Sequence, residues 1–445
     1  MLIVVRDFWI VDEASAFFGS LVIENGIIKN VVHDANDIPD ADITIDGKVF
    51  APSAVLMPAF IDLHAHFREP GSPDKEVSLP SEVLESASLA AVTGGFTTVV
   101  CMANTKPVID TIDQARALKA RSDALGLIDL YPVLSLTKGM EGSELSGIKD
   151  LPRADVGSGA LPLMLSEDGK DVADDTLFLA AMAEARRLGI PVSCHCDCGG
   201  PEAEAQKKAG RPRSEWSRTE ENVAVRRAID LGKKARCHVH IAHVSTKEAA
   251  EIIRTAKNVL PATGGFSLTC EATPHHIGAT ENDAQRMGDE TYGRVNPSLR
   301  SEADRKAIIA AINDGTIDAI ATDHAPHSEA DKAAGTPGFS GLETAFAICL
   351  PRLAANTDSA GEMRRLSALL SANPARILGL QDRGRIAEGL RADLVIADTH
   401  VTWKVEPEQF RSRGKCSPFA GKELKGKVVM TLNGGRIVFA GGESA

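Results

Sequence analysis

The chain has 445 residues, enough for more than one domain or one large unit with an attachment; 43% are apolar but only 4% aromatic, so its core is mostly aliphatic. The formal charge of −12 argues against nucleic acid or an anionic membrane as a partner, and an anionic substrate would need a local cluster of Arg, Lys, His or metal. Met1-Leu2-Ile3-Val4-Val5-Arg6-Asp7 is an apolar run broken at once by charge, not a signal peptide. No apolar run approaches the ~20 residues that span a bilayer. A soluble, cytoplasmic protein is the expectation. The eight cysteines are scattered and do not form a secreted disulfide framework.

Residues 1–56 read as short strands separated by turns, with Glu24-Asn25-Gly26 as a hairpin signal because Asn-Gly accepts positive φ. From residue 57 the texture changes to strands alternating with amphipathic helices. The strand candidates are Ala59–His64, Thr97–Met102, Asp129–Ser135, Leu161–Ser166, Ile190–His195, Cys237–His243, Gly265–Glu271 and Ile317–Thr322. Thr111 to Gln114, Ser245 to Glu248 and Ser301 to Asp304 resemble capping boxes. Gly94, Gly126, Gly189 and Gly315 sit where helices should end. Eight consecutive strand–helix units predict a (β/α)8 TIM-type barrel over 57–385, with a doubly wound sheet as the rival. Two further helices are expected near 341–355 and 363–372. Strand texture returns in Arg391–Asp398, Lys427–Leu432 and Arg436–Phe439. Both chain ends, 1–56 and 386–445, are therefore expected to build one small β-sandwich module.

The chemistry gathers at the strand ends, where such a barrel carries its active site. His64 and His66 end the first strand and, two apart, point the same way. Arg68 follows at the same parity. Asn104 follows the second strand, Glu167-Asp168 end the fourth, and His195 and His243 end the fifth and sixth. Glu271, His275 and His276 follow the seventh. Asp323, His324 and His327 follow the eighth. Ten of the twelve histidines lie between residues 64 and 327. Imidazole and carboxylate at one mouth suit a Zn2+ or Mn2+ hydrolase, with His64 and His66 on one ion and His195 and His243 on a second. A carboxylate between them would bridge. Two ions ~3.5–4 Å apart can lower the pKa of a shared water enough for it to attack a carbonyl. Asp323 is placed to take the proton and pass it to a leaving nitrogen.

These residues also carry a resemblance. Phe60-Ile61-Asp62-Leu63-His64-Ala65-His66-Phe67-Arg68-Glu69-Pro70-Gly71 and Ala321-Thr322-Asp323-His324-Ala325-Pro326-His327 are similar to the two signatures of the dihydroorotases in the amidohydrolase superfamily. Met102-Ala103-Asn104-Thr105, Val295 to Arg300, Gly341-Leu342-Glu343-Thr344 and Ser417 to Gly421 also match. The likeness runs from about residue 50 to the end and is nearest to the bacterial class with a bridging aspartate. It implies one or two Zn2+ ions held by His64, His66, Asp168, His195, His243 and Asp323, with Asp168 bridging and Asp323 also carrying the proton. It implies Arg68, Asn104 and His327 on the substrate carboxylate, His66 in contact with substrate, and Asn296 with the backbone of Pro337-Gly338 lining the ring. A guanidinium fork suits a carboxylate better than an ammonium. The implied activity interconverts N-carbamoyl-L-aspartate and L-dihydroorotate in pyrimidine synthesis. A homodimer and a complex with aspartate transcarbamoylase are the implied associations.

The chain departs from the family pattern in three places. Met102-Ala103-Asn104-Thr105 stands for Met-Pro-Asn-Thr, and Glu167-Asp168-Gly169 for Asp-Asp-Gly, so either carboxylate is open as the bridge, with the one beside Gly matching. His195-Cys196-Asp197-Cys198 stands for His-Cys-Glu-Asp. Cys194, Cys196 and Cys198 alternate with His195 and read as buried thiols, with a thiolate metal cluster as the alternative. Many relatives bridge with a carboxylated lysine, but Lys170 lies past the Gly169 turn and would have to fold back. His238 and His240, opposite in parity to His243, are expected to face the helices. His275 and His276 are expected to hydrogen-bond behind the ligands. The rival readings are an allantoinase or hydantoinase on the same scaffold, and a non-catalytic barrel supporting a transcarbamoylase. Arg68 separates the first, since hydantoins lack a free carboxylate. A complete ligand set opposes the second.

Overall fold

The computed structural model describes residues 1–33, 38–69, 81–153, 162–196, 200–259 and 264–441. Pro70-Gly71, Leu161 and Asp197-Cys198, which figure in the expectations above, lie outside the described residues.

The first strands are β1 (Leu2–Val11), β2 (Ala16–Glu24), β3 (Ile27–Val32), β4 (Ile43–Asp46) and β5 (Ala54–Pro58). Asn25 and Gly26 take φ of 52° and 83° and close the β2–β3 hairpin as the Asn-Gly pair predicts. Eight strands follow: β6 (Phe60–Ala65), β7 (Phe96–Cys101), β8 (Asp129–Pro132), β9 (Leu165–Ser166), β10 (Val192–Cys194), β11 (His238–Ile241), β12 (Ser267–Ala272) and β13 (Ala319–Ile320). The chain ends with β14 (Leu394–Lys404), β15 (Glu423–Asn433) and β16 (Arg436–Ala440).

Strands β6 to β8 form one parallel sheet and β9 to β13 another, each in sequence order. Parallel bridges join their edges, Leu134 to Leu165 at one side and Ala65 to His324 at the other. β6, β7 and β10 are buried along their whole length, polar residues included, as strands covered on both faces are. Between the strands run helices such as Ile112–Leu125, Asp175–Leu188, Arg213–Ala235 and Lys247–Asn258. Thr111 and Gln114 form the expected capping box, and Gly126 and Gly189 end their helices in the left-handed region. The cap expected at Ser245 falls on Thr246, whose hydroxyl accepts from the Ala249 amide, because Glu248 pairs with Arg218 instead of reaching back.

Both chain ends share one mixed sheet in the order β16-β15-β14-β5-β1-β2-β3, with β4 on β1. Its strands alternate between two cores. Leu56, Leu394 and Ile396 join Ile3, Val5, Ile10, Leu21 and Ile23 in a cluster of their own. Val55, Met57, Val395 and Ala397 face the large core of the parallel strands and helices. The period of two thus fastens the sheet to the rest of the molecule. β5 crosses the limit expected at residue 56 and stays in the mixed sheet to Pro58, pairing with Leu394.

Candidate active site

The strand ends converge as the histidine pattern predicts. His64 lies on β6 and His66 just beyond, where its amide donates to the His324 carbonyl at 2.8 Å. Asp62, one turn of the pleat before His64, accepts from the amide and hydroxyl of Thr322 at 2.8 and 2.5 Å. That contact ties the end of β6 to the segment carrying Asp323. Burial, partly offset by these bonds, raises the Asp62 carboxyl to about 7.

Asp168 follows β9, its amide donating to Ser166 Oγ at 3.1 Å. Gly169 turns the chain at φ 82°, a conformation that favours glycine, and a Cβ there would press on Asn104 Nδ2 at 2.9 Å. Glu167 points the other way, accepting from the Leu136 and Thr137 amides at 2.8 and 3.1 Å. Lys170 also turns away, donating to the Met140 carbonyl at 2.8 Å. Of the carboxylates near β9, Asp168 is the one at the mouth.

The ligand-type atoms form two groups that share Asp168. His64, His66 and Asp168 make one, and Asp168, His195 and His243 the other, with the offered atoms within 4.8 Å of one another in each. His195 Nδ1 lies 3.1 Å from Asp168 Oδ1 and 2.8 Å from His243 Nε2. His66 Nε2 lies 3.4 Å from Asp168 Oδ2 and 3.2 Å from Asp323 Oδ1. Three residues here hold left-handed backbone without being glycine: Arg68 at φ 59°, His243 at 35° and Asp323 at 45°. Such strain costs ~1–3 kcal/mol per residue and persists where it aims a side chain.

Burial pushes the Asp168 carboxyl up, yet His64 and His195 outweigh it and hold it well below the ordinary range. Asp323 is likewise opposed by burial and held low by His66 and His64. Two anions among four imidazoles call for cationic charge. His64 Nε2, fully buried, lies 3.2 Å from Asp168 Oδ1 but makes no hydrogen bond. A buried nitrogen without a hydrogen-bond partner, aimed at a carboxylate that other imidazoles share, fits a metal ligand. The residues present can hold a metal ion.

A cavity of about 190 Å3 opens over this cluster. Arg68, Asn104, Asn296, His327, Pro337 and Gly338 line it together with His66, Asp168, His195, His243 and Asp323. All the sequence-derived substrate residues therefore meet in one place. Arg68 Nη2 stands 3.0 Å from His327 Nε2 and its Nε donates to the Pro326 carbonyl at 3.4 Å; neither partner is an anion. Burial and the adjacent Arg68 push His327 down to about 3, so its imidazole is neutral. Asn104 Oδ1 lies 2.9 Å from His66 Nδ1 and its Nδ2 donates to Asp168 Oδ2 at 3.4 Å, so it also orients two ligands. Asn296 Nδ2 lies 3.2 Å from His195 Nε2. His324 does not reach the cavity; its Nδ1 accepts from the Gly341 amide at 3.1 Å and its Nε2 faces Glu82. His276 lies behind the cavity, with Nδ1 2.8 Å from Thr273 Oγ1 and Nε2 3.2 Å from the Pro297 carbonyl.

The orientation expected for His238 and His240 is wrong. His240 is fully buried and its Nε2 lies 3.0 Å from Glu271 Oε2, whose Oε1 lies 3.1 Å from His64 Nδ1. Thr269 Oγ1 continues the chain to His240 Nδ1 at 2.9 Å and His238 Nε2 at 2.8 Å. The parity argument failed because β11 ends at Ile241 and the backbone turns left-handed at His243. Glu271 is opposed by burial but held to about 2 by His240 and His64. It fixes the tautomer and angle of His64 from behind, a role its place at the end of a strand could have suggested. Cys194 and Cys196 are buried, and neither belongs to the ligand groups found among the described residues.

Residues 55–438 match the amidohydrolase family, and the chain belongs to it. It is 36% identical to a dihydroorotase of Clostridium botulinum, over 99% of this chain and 100% of that one. It is 37% identical to a dihydroorotase of Clostridium acetobutylicum, over 98% of this chain and 99% of that one. Among solved structures, the L-hydantoinase (dihydropyrimidinase) of Arthrobacter aurescens superposes with a TM-score of 0.82 at 25% identity, covering 100% of this chain and 97% of that one. Within the amidohydrolase family, then, the chain falls among the dihydroorotases.

Proposed function

We propose that this protein is a metal-dependent cyclic amidohydrolase that interconverts N-carbamoyl-L-aspartate and L-dihydroorotate in de novo pyrimidine synthesis. The observation that carries the reading is Arg68. Its guanidinium enters the same cavity as the two ligand groups, beside Asn104 and His327, with no anion among its hydrogen-bond partners in the described residues. A free substrate carboxylate supplies that anion, and a charge-assisted pair there fixes the ring. Hydantoins have no such group, so Arg68 favours dihydroorotate over the hydantoinase alternative that the structural likeness raises.

In this reading His64 and His66 would hold one ion and His195 and His243 a second, with Asp168 shared by both groups and Asp323 a further ligand. When bound, the ions supply Lewis acidity and ease deprotonation of the attacking water. The rest is the work of the chain. In the hydrolytic direction Asp323, ionised at neutral pH, takes a proton from the attacking water. The water oxygen bonds to the ring carbonyl carbon, the amide C–N bond breaks as Asp323 returns its proton to the departing ureido nitrogen, and the second water proton leaves to solvent as the new carboxyl ionises. Ring closure runs the same steps backwards. Asn296 and the backbone at Pro337-Gly338 hold the ring, and His66 sits against it.

The two bridged parallel sheets are read as a closed (β/α)8 barrel over 57–385, and the mixed sheet around its own apolar cluster as a β-sandwich module from 1–56 and 386–445. The same reading makes the ion zinc, one or two per subunit. It makes the protein a cytoplasmic homodimer able to associate with aspartate transcarbamoylase. No helix among the described residues is long and apolar enough to cross a membrane. The direct test follows dihydroorotate amide absorbance after mixing zinc-loaded protein with substrate. The band should decay towards equilibrium, and return when N-carbamoyl-L-aspartate is supplied instead. Turnover of hydantoin or allantoin in place of both compounds would falsify the assignment.

A further inference from the structure

One wall of the catalytic cavity is made by two backbone segments far apart in the chain, Val295-Asn296 and Thr336-Pro337-Gly338. Neither lies in a helix or strand, so no ladder of backbone bonds holds them. One backbone bond joins them directly, from the Gly338 amide to the Arg294 carbonyl at 3.0 Å. The rest comes from a side chain outside the cavity. Lys332 sits in the short helix Glu329–Ala333, whose start is closed by a capping box between Ser328 and Asp331. Its side chain runs inward and the residue is only 1% exposed. Lys332 Nζ donates to the carbonyls of Arg294 at 2.8 Å, Thr336 at 2.9 Å and Gly338 at 2.9 Å. It also stands 5.2 Å over the Phe339 ring.

This is an unusual place for a lysine. An ammonium has three protons, and all three are used on carbonyls of the two wall segments. A buried cation is normally matched by a carboxylate, since desolvating it is costly. An aliphatic chain of the same length would fill the space but would leave the three carbonyls without their donor. What a charge adds is direction: three strong donors at one point, each aimed at a different residue of the wall.

We propose that Lys332 is a positioning residue for substrate binding, whose ammonium pins the 294–296 and 336–338 segments together and thereby sets the surface that receives the ring. The inference rests on the proposed reading that this wall binds the dihydroorotate ring. The effect passes on to the carboxylate end as well. The Pro337 carbonyl lies 2.9 Å from His327 Nε2, and His327 stands beside Arg68, so moving the 336–338 segment moves the group next to the guanidinium.

A pH dependence follows. The ionisable groups facing Lys332 are Cys416, Arg294 and Arg213, with His327, held neutral by burial and Arg68, on the cavity side. Burial raises the Cys416 thiol, and the guanidiniums stay charged. Burial pushes Lys332 down to about 8, with Cys416 opposing and the two arginines adding to it. A neutral amine has two protons for three carbonyls, so the wall loosens as pH rises through that value.

Three measurements on the full-length, metal-loaded enzyme test this. In Lys332→Met the KM for dihydroorotate should rise about tenfold or more, since buried carbonyls lose their donor, while kcat and the metal content by elemental analysis stay near wild type. A fall in kcat and metal content at unchanged KM would make Lys332 a purely structural residue and overturn the proposal. In the wild type, KM should climb between pH 7 and 9.5, and Lys332→Met should lack that rise; a flat wild-type KM overturns it even if the variant does not fold. Amide hydrogen exchange in 294–296 and 336–338 should quicken in the variant at fixed pH, and protection factors there, corrected for the base-catalysed intrinsic rate, should fall in the wild type above pH 8. That readout needs no substrate, so it separates failure of this inference from failure of the assigned reaction. Unchanged exchange in these segments sinks the inference alone.

Discussion

Two clusters of charge sit at opposite ends of the parallel strands, and they are built from different groups. Near the strand starts, Arg383 reaches Thr98 Oγ1 at 2.9 Å, Asp382 at 2.9 Å and Asp129, and lies 3.7 Å from Asp393. Arg391 completes the cluster, 2.9 Å from Asp129 and 3.1 Å from Asp393. Near the strand ends, Asp168 and Asp323 lie among His64, His66, His195 and His243. The first cluster matches carboxylates with guanidiniums, which keep their charge at every accessible pH. The second matches them with imidazoles, whose charge depends on protons and which also bind metal. A cluster closed by permanent charges joins the mixed sheet to the parallel strands and has no chemistry left to do. A cluster closed by exchangeable ones can trade protons for an ion and carry a reaction.

The sharpest way to break this contrast is to remove the carboxylate that both ligand groups share. Asp168→Ala should lose bound metal by elemental analysis and all measurable turnover. Lys170→Ala should keep both, because that ammonium is already spent on the Met140 carbonyl. Reconstitution with metal should not depend on bicarbonate; bicarbonate rescue that disappeared in Lys170→Ala would transfer the bridge to the lysine. Next in size, Asp323→Asn should keep its fold and most of its metal while kcat falls ~10²–10⁴-fold, the usual reach of general acid–base catalysis. Near-normal kcat would send the proton to another group, and His324 is poorly placed to be that group because its Nε2 faces Glu82.

At the other end the same operation should touch stability instead. Arg383→Met leaves the Asp129 and Asp393 carboxylates without that partner and should cost ~3–5 kcal/mol of unfolding free energy. The kcat of the folded fraction should not change. Loss of activity without loss of stability would mean that the two ends are coupled. Arg68→Met is the intermediate case, a permanent cation placed at the exchangeable end. It should raise the KM for dihydroorotate by ~2–5 kcal/mol equivalent and leave unfolding nearly unaffected. Unchanged kinetics would remove the main reason for preferring dihydroorotate to a hydantoin.

The strand-end cluster is largely legible in the sequence, because each residue in it ends or follows a strand and strands show as apolar runs. His64 and His66 were placed by the period of two, and the ends of β6, β7 and β8 fall within a few residues of expectation. β9 and β13 keep only two ladder residues each, so an apolar run overstates them. Parity misled at His240 for a related reason: it counts alternation through Ala242 and His243, where the strand has already ended. Glu271 was visible at its strand end but its two imidazole partners were not, since they come from β6 and β11. Lys332 left no trace in the pattern. Its partners are backbone carbonyls, one of them on Arg294, and a carbonyl carries no sequence signal. The choice between Glu167 and Asp168 needed coordinates too, because the Thr137 and Leu136 amides that claim Glu167 belong to a different loop.

Glu343 offers the smallest test and a third kind of buried charge, a carboxylate held by neither guanidinium nor imidazole. It edges a separate cavity of about 310 Å3, beside Phe346, Trp403 and Phe410, and accepts from the amides of Arg411 at 2.9 Å and Ser412 at 3.1 Å. Burial raises it from 4.5 to about 7, although both amides, Lys415 and Arg411 pull the other way. The sign follows from linkage. A carboxyl whose folded pKa lies above its unfolded one binds its proton more tightly in the native state. Its contribution to stability is therefore complete below about 4.5, declines as pH rises towards 7, and levels off above that. Glu343→Gln cannot ionise, but it presents one carbonyl oxygen to two amides and so loses a hydrogen bond, ~1 kcal/mol, at every pH. The slope is thus the informative quantity, not the offset. Melting curves from pH 4.5 to 8.5 should show the variant less stable than wild type at the acid end and gaining on it up to about pH 7, with a constant difference beyond. Parallel curves would mean that the two amides hold Glu343 ionised throughout. Backbone donors would then anchor a buried anion as firmly as Arg383 anchors Asp129, and a permanent cation would not be needed to close a structural cluster.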